Sequence, residues 1–245
     1  MLAFIRVRAF LWAPHAAHSV MTEASDVARH VLPADFPATR KRAVQAIVIV
    51  IRETGLPPVP WRNGGGVTRE IYRTPLDTPA FDWRLSLATI DRPGPFSIFE
   101  HYERTLVLAR GAGIELNFGP HGKARLARSG QLVAFDGGWA TVCTLLDGPS
   151  TDLNLIVSNA RAKSQSRVVQ VLAIELIPTA NWSETFVCCL SGSVQIRNAA
   201  DDMAEIAPVD VARYGPADGV ITCRLRSATP AQLFIAAVTR RKRRG

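Results

Sequence analysis

Hydrophobic residues along this chain recur at every second position rather than every third or fourth. From Phe81 to Ile90, Phe81, Trp83, Leu85, Leu87 and Thr89 fall on one face of an extended segment, and Asp82, Arg84, Ser86 and Ala88 on the other. In a half-buried sheet the second face meets water; in a barrel it lines a polar cavity. Val44 to Ile51 is a β-branched run and predicts a buried strand. Gly55 to Pro60 carries three prolines and predicts a rigid connection. Val67 to Arg73 reads as a strand, and Thr74 to Ala80 as a loop. Pro93-Gly94-Pro95 reads as a turn and Phe96 to Phe99 as a short strand. The clearest helical periodicity is a piece around Ala24–His30.

The pattern repeats. Thr105–Leu116 can be laid on Thr185–Ile196 at an offset of 80 residues, each a strand, a small-residue turn and a second strand. Leu132–Phe135 then matches Asp210–Arg213, and Val142–Leu145 meets Thr222–Leu225. Few positions are identical, but the order of elements is the same. Two copies of a short-stranded unit predict an all-β chain, a double sandwich or barrel. The expected division is an extension over 1–43, units over 44–160 and 161–239, and a basic tail over 240–245.

Charge changes the picture little once it is located. The chain has 245 residues and a formal net charge of +8. Between Val44 and Thr239 there are 18 basic and 18 acidic residues, so the excess belongs to the two ends. Arg240-Arg241-Lys242-Arg243-Arg244 reads as a solvated terminus; contact with nucleic acid through it is the competing view. No apolar run is long enough to span a bilayer, so no membrane partner is expected. Arg6 and Arg8 beside a short apolar stretch imitate a targeting segment, and a later start such as Met21 is the alternative. Cys143, Cys188, Cys189 and Cys223 lie in apolar runs without a Cys-x-x-Cys pair, which fits reduced thiols in a cytoplasmic protein. Cys188 and Cys189 should point to opposite faces of one strand.

The densest chemistry is Trp61-Arg-Asn-Gly-Gly-Gly-Val-Thr-Arg-Glu-Ile71. Its glycines permit positive φ at successive residues and predict a sharp turn feeding a strand. A Walker loop would need a Lys and a following helix, and neither is present. A backbone anion nest is the alternative to a purely structural turn. This motif, with Phe81–Ile90, Gly94-Pro-Phe-Ser97 and Asp152-Leu-Asn154, resembles the HutD/Ves family from about Val44 to Val238. The resemblance implies a bicupin, two cupin-type β units in one chain. It also implies a role like that of HutD members, which are associated with histidine utilisation and with binding a small acidic metabolite. Ves members are linked to environmental stress. Glu100-His101-Tyr102 departs from the Pro-Gly pair usual in the family after Phe99, which bears on loop shape and ligand choice.

Many cupins hold a metal through three His and a Glu. Here only His101 and His121 lie in the body of the chain, with no His-x-His, so neither a metal nor another cofactor is expected. Ser86, Ser97 and Cys143 have no histidine specified as a base, and no catalytic residue is assigned. What remains is a set of anion-binding groups: Asn63, Arg69, Arg84 and Arg104, with Asn154 as an amide. Arg69 and Arg84 would hold a carboxylate, Asn63 would orient a polar group, and Arg104 would support them. The alternative pairs these arginines with Glu70, Asp82 and Glu103 on exposed faces. Trp61 and Trp83 serve packing first and ligand stacking second. The expected protein is a metal-free bicupin that binds a small anionic metabolite, such as urocanate or formylglutamate, in a regulatory or accessory role without turnover. A homodimer is compatible with it. The competing class is a metal-independent isomerase or hydrolase using Glu70, Glu103 or Tyr102.

Overall fold

The structure, a computed structural model, describes residues 48–242. The expected extension over 1–43, with its Ala24–His30 piece, and Arg243 and Arg244 of the tail lie outside the described residues. What is described is β throughout, interrupted by three single helical turns at Glu53–Gly55, Gly119–His121 and Pro216–Asp218. Every strand pairing is antiparallel.

Four sheets form two barrel-like units. The first unit has a six-stranded sheet in the order Val59–Pro60, Gly66–Thr74, Trp83–Ile90, Ser150–Ser158, Tyr102–Gly111 and Leu132–Asp136. Facing it is a four-stranded sheet of Gly94–Pro95, Val142–Leu145, Ile114–Asn117 and Lys123–Leu126. The second unit repeats the plan. Its large sheet runs Ile49–Ile51, Val211–Tyr214, Glu184–Ser191, Ala231–Arg240 and Ala162–Val171. Its small sheet runs Ile174–Pro178, Val220–Leu225, Val194–Arg197 and Met203–Ile206. The repeat holds at the level of single pairs. Ile114 pairs with Leu126 and Leu145, and Val194, 80 residues on, pairs with Ile206 and Leu225.

The two large sheets pack back to back. Trp83, Leu85, Leu87, Leu153 and Leu155 from the first meet Phe186, Cys188, Phe234, Ala236 and Val238 from the second in one buried cluster. The opposite faces of the same strands turn into each unit, where separate cores form around Leu106, Leu108 and Ile114, and around Val187, Leu233 and Tyr214. Cys188 and Cys189 accordingly fall in different cores, as the strand period requires. Polar clamps close the seam: Tyr72 donates to Glu184 at 3.0 Å, Arg213 grips Glu184 at 2.7 and 2.9 Å, and Arg240 meets Asp82 at 2.9 Å.

Two local expectations change. Of the strand expected over Val44–Ile51, residues 44–47 lie outside the described residues; the described part, Ile49–Ile51, is half-exposed rather than buried and pairs with Val211–Tyr214 of the second unit rather than with the first. The hydrophobic run is real, but its partner lies about 160 residues away, a distance no local pattern reveals. Gly94–Pro95, expected as a turn, pairs instead with Val142–Cys143, whereas Phe96–Phe99 is an irregular segment. Proline tolerates that edge position because its missing N–H is not needed there.

Phe186 and Phe234 are fully buried in the shared core. Phe186→Ala or Phe234→Ala should therefore cost about 3–5 kcal/mol, read as a lower urea midpoint in one cooperative transition. A cost below about 1 kcal/mol, against that range, would contradict a shared core.

Candidate functional site

The glycine turn is built by hydrogen bonds that use its own polar groups. Gly64 has φ +67°, and the Asn63 side-chain oxygen accepts from Gly65 N at 3.0 Å. Gly65 O accepts from the N–H groups of Asp91 and Arg92, and Trp61 N donates to Gly66 O at 2.9 Å. At Gly66 a Cβ would sit 2.2 Å from Thr89 O, so no other residue fits so close to the neighbouring strand. Trp61 lies edge-on to Phe96, and its indole N–H donates to Thr68 at 2.8 Å. The turn thus fixes one rim of an opening.

That opening leads into the first unit, to a cavity of about 460 Å³ between its sheets. Registered strands set the floor in same-face rows. Arg84, Ile156 and Arg104 form one row; Glu70, Ser86, Asn154 and Leu106 the next; Thr68, Ala88, Asp152 and Leu108 the third. The walls are completed by Trp61, Arg62, Asn63 and the Phe96–Phe99 segment. Arg84, Ser86 and Ala88 of the polar face of Phe81–Ile90 therefore line a cavity, whereas Asp82 of that face pairs with Arg161 and Arg240.

Of the five expected binding residues, Asn63, Arg84, Arg104 and Asn154 meet at this cavity. Arg69 does not. It pairs with Leu87, on the face opposite Thr68 and Glu70, and reaches toward Glu53 at 3.9 Å, beside the Arg110–Glu53 ion pair. Strand alternation puts its neighbours inside and Arg69 outside. Asn63 lies at the rim with its amide oxygen committed to the turn. Glu70 lines the rim as well, whereas Glu103 and Tyr102 do not line the cavity; the Tyr102 hydroxyl bonds Phe81 O at 3.0 Å.

Arg84, half-buried, and Arg104, buried, are held by rings. Arg84 lies 5.2 Å from the Phe99 centroid and 5.5 Å from Phe81. Arg104 lies 5.1, 5.6 and 5.0 Å from Phe96, Phe99 and Phe135. A ring face attracts the cation without accepting its in-plane N–H groups. Arg104 donates one bond, to Ser97 O at 3.3 Å, while its Nε and that of Arg84 are buried without partners. No ion pair joins Arg104 to Asp152, although both are buried.

Asp152 is the residue that sequence reasoning missed. It is 1% exposed, and its Oδ1, like that of Asn154, has no partner. Burial pushes its carboxyl up to about 7, and Arg104 draws it partway back. Burial lowers the Arg104 guanidinium to about 10; Asp152 opposes the fall and Arg84 adds to it. Arg84 is likewise lowered by burial, opposed by Glu70. One signal was available: an acid alternating with apolar residues in Asp152-Leu-Asn-Leu-Ile156.

Other candidates lie elsewhere. His101 occupies a turn with φ +67°, His121 stacks on Trp139 at 4.2 Å, and neither lines the cavity. Among the described residues no three His, Cys, Asp or Glu are grouped to hold a metal. Arg240 and Arg241 of the tail bond Asp82 and Ala162 O. The second unit places Thr185, Ile235 and Leu233 where the first has Arg104, Asn154 and Asp152, and its interior is more apolar, with Arg167 on the face of Val169 and Val171 paired to Glu175 at 3.0 Å.

The buried carboxyl has a consequence for stability. In the unfolded chain it ionises near 3.8, so between about 4 and 7 the folded state holds the extra proton. Stability therefore falls as pH rises across that window. Asp152→Asn should gain on the parent chain from pH 4 to pH 8, by a few kcal/mol at the upper end, in urea denaturation. A gap that does not change with pH would contradict the buried placement.

Comparisons with known proteins agree with this architecture. The HutD family model matches residues 53–233. A protein in the hutC 3′ region of Pseudomonas putida is 35% identical over 117 residues, 47% of this chain and 61% of its own length. Protein Ves of Citrobacter koseri is 38% identical over 109 residues, 44% of this chain and 56% of its own. The chain thus spans about six tenths of these curated relatives. Among solved structures, HutD from Pseudomonas fluorescens, determined in a formate condition, shares 27% identity at a TM-score of 0.68, covering 80% of this chain and all of that one. A conserved protein of unknown function from Pseudomonas aeruginosa gives 29% and 0.70, over 78% and 98%. Oxalate decarboxylase from Lactobacillus farciminis, at 9% identity and 0.54 over 77% and 85%, shares the cupin-type fold alone. The chain belongs to the HutD family.

Proposed function

We propose that the protein binds a small carboxylate metabolite in its first unit and acts as a metal-free regulatory or accessory protein rather than by turnover. The observation that carries this is the set of unpartnered buried atoms in one cavity, Arg84 Nε and Arg104 Nε above all. Two like charges whose Nε atoms are buried without partners favour an anion that restores the hydrogen bonds and offsets the repulsion. A carboxylate matches the planar fork of a guanidinium in a way that chloride does not. The formate condition of the Pseudomonas fluorescens structure and the hutC neighbourhood of the Pseudomonas putida relative support a carboxylate of histidine degradation, such as urocanate or formylglutamate.

A second reading rests on Asp152. A buried carboxyl brought to about 7 is suited to general acid–base catalysis, which would make the protein a metal-independent enzyme. Product formation from the bound carboxylate would favour it.

Thermal shift distinguishes the cavity from the opposite face of the same sheet. A carboxylate at 100 times its Kd adds roughly 2.7 kcal/mol of stability. Arg84→Gln and Arg104→Gln should lose that gain with urocanate or formylglutamate, whereas Arg69→Ala should keep it. Loss in Arg69→Ala with retention in the other two would place the site elsewhere.

A further inference from the structure

The cavity floor is not uniformly cationic. The Arg84–Arg104 row lies at one end, and two rows away stands Asp152, with Asn154 between them. Asp152 Oδ1 and Asn154 Oδ1 are acceptors, buried and without partners. An anion satisfying only the arginines leaves both buried acceptors without a partner, which is unfavourable for each. A second carboxylate set against them would face Asp152 as a like charge. A hydrogen-bond donor would complete both ends.

We propose that the cavity selects a monocarboxylate bearing an N–H donor a few atoms from its acid group, the carboxylate clasped by Arg84 and Arg104 and the N–H accepted by Asp152 beside Asn154. This rests on the carboxylate-binding function proposed above and narrows it: dicarboxylates are disfavoured, so that of the two metabolites named there urocanate, with one carboxylate and a ring N–H, fits and the dicarboxylate formylglutamate does not. It also makes binding pH-dependent in opposite senses. The charged or titratable groups that act on Asp152 are Arg104 from the neighbouring strand and Cys143 from the small sheet, while Arg84 and Glu70 lie two rows and one row away on the same floor. Cys143 remains a neutral thiol, pushed up to about 12 by burial. The titration is therefore that of Asp152, near 7. Below it the carboxyl is neutral, offering an O–H and only a weaker carbonyl acceptor to an N–H; above it the full charge holds the N–H and repels a bare acid.

Calorimetric titration of the full chain tests this with N-acetyl-β-alanine, its NH-to-O analogue 3-acetoxypropanoate, and glutarate. At pH 8 the amide acid should bind at least about tenfold tighter than the other two, the equivalent of roughly 1.4 kcal/mol. Its advantage should shrink toward pH 6. Asp152→Leu, which installs the residue type found at the corresponding Leu233, should bring the amide acid down to the level of its oxygen analogue without weakening the latter. Asp152→Asn, which keeps one acceptor and no charge, should retain part of the preference and lose the pH dependence. Equal or tighter binding of 3-acetoxypropanoate or glutarate by the parent chain would overturn the N–H selection alone. Failure of all three acids to bind would overturn the carboxylate pocket itself.

Discussion

The packing of the two large sheets against each other decides everything else in this molecule. Trp83, Leu85 and Leu87 on one sheet, and Phe186, Phe234 and Val238 on the other, bury one full face of each. Because the side-chain period of a strand is two, committing that face commits the other. Arg84, Ser86, Asp152, Asn154 and Arg104 have no choice but to point into the first unit. A slip of one residue would put two guanidiniums and a carboxylate into the shared core. Register and site are therefore the same constraint.

What keeps such a polar interior tolerable is the way its charges are held. The rings of Phe96, Phe99 and Phe135 surround Arg104, and Phe81 and Phe99 flank Arg84. Contacts of this kind contribute about 0.5–2 kcal/mol each, more when water is excluded, and they leave the N–H fork open. A salt bridge to Asp152 would have stabilised Arg104 equally well but would have consumed its donors. Aromatic support thus orders the arginines and leaves them hungry for an acceptor. Phe96–Phe99 is irregular chain rather than strand, and this lets its rings and carbonyls turn toward the arginines together.

Much of this was legible in the sequence, and the boundary of legibility is physical. The alternation in Phe81–Ile90 gave the two faces of the central strand, and the 80-residue repeat gave the number of units. Asn63, Arg84, Arg104 and Asn154 were found because they lie in or beside dense motifs. Arg69 was misplaced even though the same alternation excludes it: Thr68 and Glu70 flank it and point inward. The motif's density outweighed its period. Asp152 was overlooked because the cost of burying an acid depends on neighbours brought from Tyr102–Gly111 and Trp83–Ile90, and on the small sheet that closes over it. The pairing of Ile49–Ile51 with Val211–Tyr214 was illegible for the same reason. Edge partners are chosen by tertiary geometry, not by composition.

The second unit shows the same scaffold with fewer buried charges. Thr185, Leu233 and Ile235 replace Arg104, Asp152 and Asn154, and the interior closes around Tyr214 and Val187, its Arg167 paired with Glu175. Each such replacement is the cheaper solution for stability, since buried ion-bearing cores are often improved by well-packed apolar side chains. The chain thus holds both answers to one folding problem. Nothing in the fold demands arginine, aspartate and asparagine at these positions, because the second unit folds without them. Their retention in the first, at a cost to stability that its twin avoids, is the strongest structural argument that they serve recognition. The twin has a further role: packed back to back with the sheet that floors the cavity, it provides the rigid wall that holds the Arg84–Arg104 and Asp152 rows in register.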